Sequence, residues 1–178
     1  MQEILARNRL STENLQAVAV SKGPGSYTGL RIGVSAAKGL AFALQIPLIS
    51  VDTLGNLARQ VTKMDVLIIP MIDARRMEVY AGIYDSDYNT VRQVQADVLD
   101  ENSYAEYLNQ KKTVFLGDAV AKVQDIIKHP NAVFYKDKLP SAREMSVLSY
   151  EKFRQQDFED TAYFEPFYLK DFITTRKK

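Results

Sequence analysis

The apolar positions of this chain fall into two periods. Short runs that are continuous or alternate with polar residues read as strands, and stretches with apolar residues three and four apart read as helices. Residues 1–9 read as the closing turns of a helix, because Ile4, Leu5 and Ala6 begin with no capping residue ahead of them. A strand at 16–20, a helix at 29–44 and a second strand at 46–51 follow, and Thr53 opens a helix to about residue 61. The run "DVLIIPMID" at 65–73 is near-continuously apolar, as a strand covered on both faces must be. Residues 77–84, "MEVYAGIY", alternate and pass through "DSDYN" into 91–98, which predicts a hairpin. Next come a helix near 103–109, a strand at 113–116, a helix at 118–128 and a short strand at 133–135. Pro140 and the capping box Ser141-Ala142-Arg143-Glu144 open a further helix. The last 20 residues are aromatic and irregular and end in Arg176-Lys177-Lys178.

Strands alternating with helices predict an α/β layered fold. A change of style near 62–66 places a seam there, dividing 1–62 from 63–178. A chain of 178 residues with 46% hydrophobic and 25% charged positions has the composition of an ordinary globular protein. Its net charge of +1 gives no global reason to bind nucleic acid, so any such role is local or borrowed from a partner. The absence of cysteine excludes disulfides, thiolate metal sites and cysteine nucleophiles. The single histidine, His129, precedes Pro130 at a predicted helix end and reads as a C-terminal cap, which argues against zinc and histidine-iron sites. The start lacks a signal-peptide layout, and charges interrupt every apolar stretch short of a spanning length. The reading is cytoplasmic, with no membrane partner.

The stretch "SKGPGSYTGLR", residues 21–31, lies between a predicted strand and a predicted helix, where phosphate-binding loops form. A P-loop needs Gly-Lys-Ser/Thr at its end, and here Gly29 is followed by Leu30-Arg31. The glycine spacing is one residue longer than a dinucleotide-binding turn, although Asp52 closes the next strand roughly where a ribose-binding carboxylate belongs. Two readings stand: a tight connection needing positive φ at glycine, which is favoured, or a nucleotide loop formed by Gly23, Pro24, Gly25, Ser26, Thr28 and Gly29. Asp52, Asp73 and Asp118 sit at predicted strand ends and could hold magnesium, but such residues more often cap the next helix or turn. The run Asp73-Ala74-Arg75-Arg76 reads equally well as a local ion pair, and no Gly-x-Ser-x-Gly elbow is present. No catalytic set is assembled.

The helix at 28–44 carries two apolar stripes: Leu30, Val34, Ala37, Ala41 and Leu44 form one; Ile32, Ala36, Gly39 and Ala43 form the other. Its only charges are Arg31 and Lys38. A surface helix needs one stripe. Two stripes predict either a central core helix or a helix covered by its own sheet on one side and a partner on the other. The partner surface is placed on Leu30, Arg31, Val34, Lys38 and Ala41, with Ile4 and Leu5 beside them.

The segments "SKGPGSYTGLRIGVSAAKGLA", "IPLISVDTLGNLA", "IPMIDARRMEVYAGIY" and "PFYLKD" together resemble the TsaB family, also called YeaZ. These are bacterial subunits for making threonylcarbamoyladenosine in tRNA. The resemblance implies an actin-like fold of two RNase-H-like lobes. It also implies a non-catalytic subunit that pairs with the catalytic TsaD-like paralogue through first-lobe helices, together with a TsaE-like ATPase subunit. Alone, the chain is expected to form a homodimer. It is expected to reach tRNA indirectly, and to take ATP or ADP only weakly or within the complex. The paralogue's His-x-x-x-His metal site has no counterpart here, so no peptidase activity and no metal are expected. Two departures stand out. The family opens with a strand bearing Asp-Thr-Ser that is missing here, so a first lobe truncated at its N-terminus is expected. Tyr168-Leu169-Lys170 stands where the family shows Tyr-Leu-Arg, which loses a bidentate donor. The rival reading is a stand-alone nucleotide-binding enzyme using the loop from Gly23 to Gly29.

Overall fold

The computed structural model describes residues 2–62 and 64–170 and contains two sheets. A short helix α1 (Gln2–Arg7) and a 3-10 turn at Thr12–Asn14 lead into strand β1 (Val18–Gly23). Strand β1 pairs in parallel with β2 (Leu48–Asp52), from Val18↔Leu48 to Ser21↔Val51. Parallel neighbours need a crossover, and helix α2 (Tyr27–Leu44) supplies it. Ser26 caps α2 by accepting from the Gly29 amide at 3.4 Å, and Gln45, at φ 53°, closes its other end. Val18, Val20 and Leu48 of the sheet pack against Ala37 and Ala41 of α2.

The second sheet has the order β5-β4-β3-β6-β7. Strands β3 (Leu67–Asp73), β4 (Glu78–Tyr84) and β5 (Thr90–Val98) form an antiparallel meander, and β6 (Thr113–Leu116) and β7 (Ala132–Tyr135) extend it in parallel. Helices α4 (Ala105–Leu108) and α5 (Val120–Ile126) cover one face. The apolar run of β3 follows from this position. Ile69 and Met71 face the cluster of Phe115, Leu108, Val120 and Val123, while Ile68 and Ile72 face Leu54, Leu57 and Val61. Gly117 ends β6 at φ +120°, and a side chain there would collide with the Met71 carbonyl.

The two sheets are laced together from both directions. Helix α3 (Thr53–Ala58), ahead of the seam read from the sequence, sends Leu54, Leu57 and Ala58 into the core of the second sheet. Beyond the closing helix α6 (Ala142–Gln155), the chain returns to the first sheet, where the Glu159 amide donates to the Leu48 carbonyl at 2.8 Å.

Three local readings are corrected. The predicted helices at 103–109 and 118–128 are shorter, and Ile127 turns extended and ends α5. His129 therefore caps no helix; its Nδ1 accepts from the Asn131 amide at 3.2 Å in the turn before β7. Ser141 does cap α6, through the Arg143 amide at 3.1 Å. The terminal Arg176-Lys177-Lys178 and Asp171 lie outside the described residues. Among the described residues, no helix is long and apolar enough to cross a membrane.

Leu57, fully buried where α3 meets the second sheet, tests this lacing. Leu57→Ala is expected to lower the unfolding free energy by about 2–5 kcal/mol, measured by denaturant titration.

Candidate functional site

The loop after β1 begins with Gly23 at φ +117° and a cis Gly23–Pro24 peptide. A Cβ built on Gly23 would lie 2.6 Å from the Phe167 carbonyl oxygen and 3.1 Å from Leu30, so another backbone takes the close approach that this glycine permits. Gly25 also looks onto Leu30, and Gly29 onto Ser26. Pro24 is buried, and Ser26 and Thr28 are exposed at the start of α2. The concave side of the loop thus faces Leu30 and the returning chain at Phe167, whose amide donates to the Lys22 carbonyl at 2.7 Å.

The structure separates the two stripes of α2. Leu30, Val34, Ala37 and Ala41 are buried within the chain, with Val34 and Ala41 at 3% and 1% exposure. Leu5 of α1 is buried as well. Leu30, Val34 and Ala41, predicted to face a partner, are corrected to core, because the sheet needs an apolar cover and this stripe supplies it; Leu5 of α1, predicted to lie beside them, is corrected with them by its burial. The other stripe is open: Ile32 is 66% exposed, and Ala36, Gly39 and Ala43 are exposed with it. Phe42, at 81% exposure, extends this open face, and among the described residues nothing lies within 4 Å of a Cβ placed on Gly33 or Gly39. Ile4 on α1 is likewise exposed.

The returning chain grips the edge of α2. Lys38 donates to the Ala162 and Phe164 carbonyls at 3.1 and 2.9 Å. Arg31 Nε donates to the Tyr168 hydroxyl at 3.1 Å, and the Tyr27 and Tyr168 rings stack at 4.5 Å between centroids. Arg31 and Lys38 therefore set the position of the helix rather than pointing away from the fold. The Tyr27 hydroxyl also donates to the Lys170 carbonyl, and the Lys170 ammonium pairs with Glu78 of β4.

Between the sheets and α6 lies a cavity of about 550 Å³, lined by Lys22, Asp52, Arg59, Tyr84, Tyr88 and Glu151 among others. Asp52 caps α3 by accepting from the Gly55 amide at 2.5 Å, and the Tyr84 hydroxyl donates to the same oxygen at 3.3 Å. Burial raises the Asp52 carboxyl above its ordinary value, opposed by these two hydrogen bonds and by Lys22. Burial, and then the Asp52 charge, raise the Tyr84 hydroxyl too. Arg59 lies 5.0 Å from the Tyr88 ring centre and 3.9 Å from Glu151, so much of the lining charge is paired within the chain. Asp73 is held low, against the cost of its partial burial, by Lys122 at 2.8 Å and by the Arg75 amide. Asp118 accepts from the Asp73 amide at 2.8 Å. Asp52 thus caps a helix and Asp73 locks the turn after β3, whereas Asp118 caps no helix and instead ties the end of β6 to β3. Among the described residues, no group of three or more His, Cys, Asp or Glu could hold a metal ion.

Sequence reasoning missed this cavity as a unit, because its lining comes from β1, β2, α3, the β4–β5 hairpin and α6. The folded-state value of Asp52 lies above the unfolded one, so its charge opposes folding at neutral pH and that opposition fades as pH falls through the folded value. Asparagine caps a helix as well as aspartate does. Asp52→Asn is therefore expected to raise the melting temperature at pH 7, with the gain over the parent narrowing towards pH 4 in a pH series of thermal melts.

The family model described as "TsaD: tRNA N6-adenosine threonylcarbamoyltransferase" matches residues 1–178. The chain is 42% identical over 114 residues to a Bacillus subtilis protein named "tRNA threonylcarbamoyladenosine biosynthesis protein TsaB", a match spanning 61% of this chain and 48% of that relative. It is 30% identical over 186 aligned residues to the Escherichia coli protein of the same name, covering 99% of this chain and 80% of the relative. The solved structure described as "YeaZ from Pseudomonas aeruginosa" superimposes with a TM-score of 0.77 at 26% identity, covering 94% of this chain and 80% of that one. With the family model matched along the whole sequence and the E. coli relative covered over four-fifths of its length, the chain belongs to the TsaB (YeaZ) family.

Proposed function

We propose that this chain acts in the biosynthesis of threonylcarbamoyladenosine in tRNA as a non-catalytic subunit that docks on a catalytic, TsaD-like paralogue. The names of its relatives support the process, and the open stripe of α2 supports the docking. Ile32 and Phe42 stand in water with Ala36, Gly39 and Ala43 beside them, an apolar face on a helix whose opposite face is already covered. The small residues allow a second helix to approach closely. A paralogue of the same fold would meet this face with its own equivalent helix; in its absence a second copy of the chain would do so about a two-fold axis. Catalysis, contact with the TsaE-like ATPase subunit and any tight ATP or ADP binding then belong to the assembled complex, in the cytoplasm where tRNA is modified.

Two substitutions on one helix test the docking. Ala36→Arg is expected to leave circular dichroism unchanged, to shift the lone chain from dimer to monomer in light scattering, and to weaken capture of the paralogue at least tenfold, about 1.4 kcal/mol or more. Val34→Arg, which buries an unpaired charge in the core, is expected to unfold the chain instead. An Ala36→Arg protein that is folded, dimeric and fully competent for capture would place the contact elsewhere. Isothermal titration of ATP and ADP into the lone chain is expected to show no micromolar binding; such binding would favour the nucleotide-enzyme reading.

A further inference from the structure

After α6 the chain runs back along the fold as a strap, residues 157–170, without helix or strand, and fastens α2 at several points. The Glu159 amide donates to the Leu48 carbonyl of β2 and the Phe167 amide to the Lys22 carbonyl of β1, at 2.8 and 2.7 Å. Between these anchors Phe164 packs against the buried cluster of Ala37, Ala41 and Leu48, and its carbonyl accepts from Lys38 of α2 at 2.9 Å. Further on, the Tyr168 hydroxyl accepts from Arg31 at 3.1 Å, and the Tyr168 ring lies against that of Tyr27. Lys170 then joins α2 to the other sheet: its carbonyl accepts from the Tyr27 hydroxyl, while its ammonium pairs with Glu78 of β4. One segment thus ties α2 to both sheets.

Packing leaves the seat of α2 loosely specified. Its sheet has two strands, and two of the three residues in the buried cluster between them are alanines, whose methyl groups offer little area to interdigitate. The strap contacts therefore decide how α2 is rotated and how it stands against the second sheet. The open face of the same helix carries Ala36, Gly39 and Ala43, so a docked helix must come close. A gap of about 0.5–1 Å forfeits a quarter to a half of each dispersion contact. We infer that the strap is a latch coupled to docking. With Lys170 on Glu78 and Tyr168 on Arg31, α2 is held where a partner needs it, and a docked partner in turn holds the strap closed, by an equal free energy. The Lys170 and Glu78 side chains are 43% and 21% exposed, so their pair is weak enough to open without unfolding the chain. Lys170 and Tyr168 act here as positioning residues. The inference rests on the docking proposed above and adds the element that governs it.

Two measurements on the full chain test this: the rate of chymotryptic cleavage after Tyr168 in the lone chain, read by mass spectrometry, and the affinity for the immobilised TsaD-like paralogue. Cleavage reports how often the strap opens. Lys170→Arg keeps the pair and is expected to match the parent in both. Lys170→Ala and Glu78→Gln each remove one partner, from opposite sides of the latch, and are expected to be cleaved about threefold faster and captured about threefold more weakly. Lys170→Glu sets like charges face to face and is expected to change both by about tenfold, with circular dichroism unchanged. Saturating paralogue is expected to slow cleavage of the parent at least fivefold. Cleavage indifferent to these variants overturns the latch. Faster cleavage with parent-like capture makes the strap a structural tie alone and overturns the coupling. Weaker capture with parent-like cleavage makes Lys170 a direct contact of the partner and overturns it too. The docking proposal is judged separately: Ala36→Arg is expected to weaken capture without speeding cleavage. If the parent captures no paralogue, docking and its coupling both fail, and the cleavage series still shows whether the latch exists.

Discussion

Ile68, Ile69, Met71 and Ile72 lie on alternating faces of one strand, and all four are buried. Covering both faces of β3 is the constraint from which the rest of the arrangement follows. One face needs α4 and α5, which come from later in the chain; the other needs α3, which comes from before the strand. Each fully buried aliphatic side chain contributes about 1.5–3 kcal/mol, so neither face can be left open. Because α3 is continuous with β2, meeting this need draws the first sheet against the second. The cavity between them is what remains where α3, the β4–β5 hairpin and α6 do not close completely.

Helix α2 answers to a different balance. The small first sheet requires one apolar cover and takes the stripe of Leu30, Val34, Ala37 and Ala41. Its rotation is then fixed from the side by polar contacts with the returning chain, through Lys38, Arg31 and Tyr27. With one face in the core and one edge clasped, the remaining face presents Ile32, Ala36, Gly39, Phe42 and Ala43 to solvent. The glycine-rich loop ahead of the helix serves the same end. Gly23 lets the Phe167 backbone come close enough to accept this geometry, and a side chain there would push the returning segment away.

Electrostatics in this chain is local rather than global. The net charge of +1 conceals a cavity where cations and carboxylates largely satisfy one another and ion pairs, Lys122–Asp73 and Lys170–Glu78, that tie the ends of β3 and β4 to other parts of the chain. Asp52 shows the cost of such placement: its carboxylate caps a helix in a buried position, and its proton affinity rises accordingly.

Much of this was legible in the sequence because it depends on near neighbours. The doubly covered strand at 65–73, the hairpin after it, the cap at Ser141 and the existence of two stripes on α2 are all set by residue order and backbone period. The chemistry at Gly23 was legible in kind, as a turn needing positive φ, but not in its purpose, since Phe167 approaches from the far end of the chain. Periodicity shows that a helix has two apolar faces and cannot say which one the sheet takes; that choice between the stripe of Val34 and the stripe of Ile32 depended on packing against Val18, Val20 and Leu48. The same holds for His129, where the helix ended early and left the imidazole to a turn. The meeting of Tyr27, Arg31, Glu78, Tyr168 and Lys170 was decided by tertiary structure alone, because contacts between residues more than 40 positions apart form only when burial of the sheets brings the segments together.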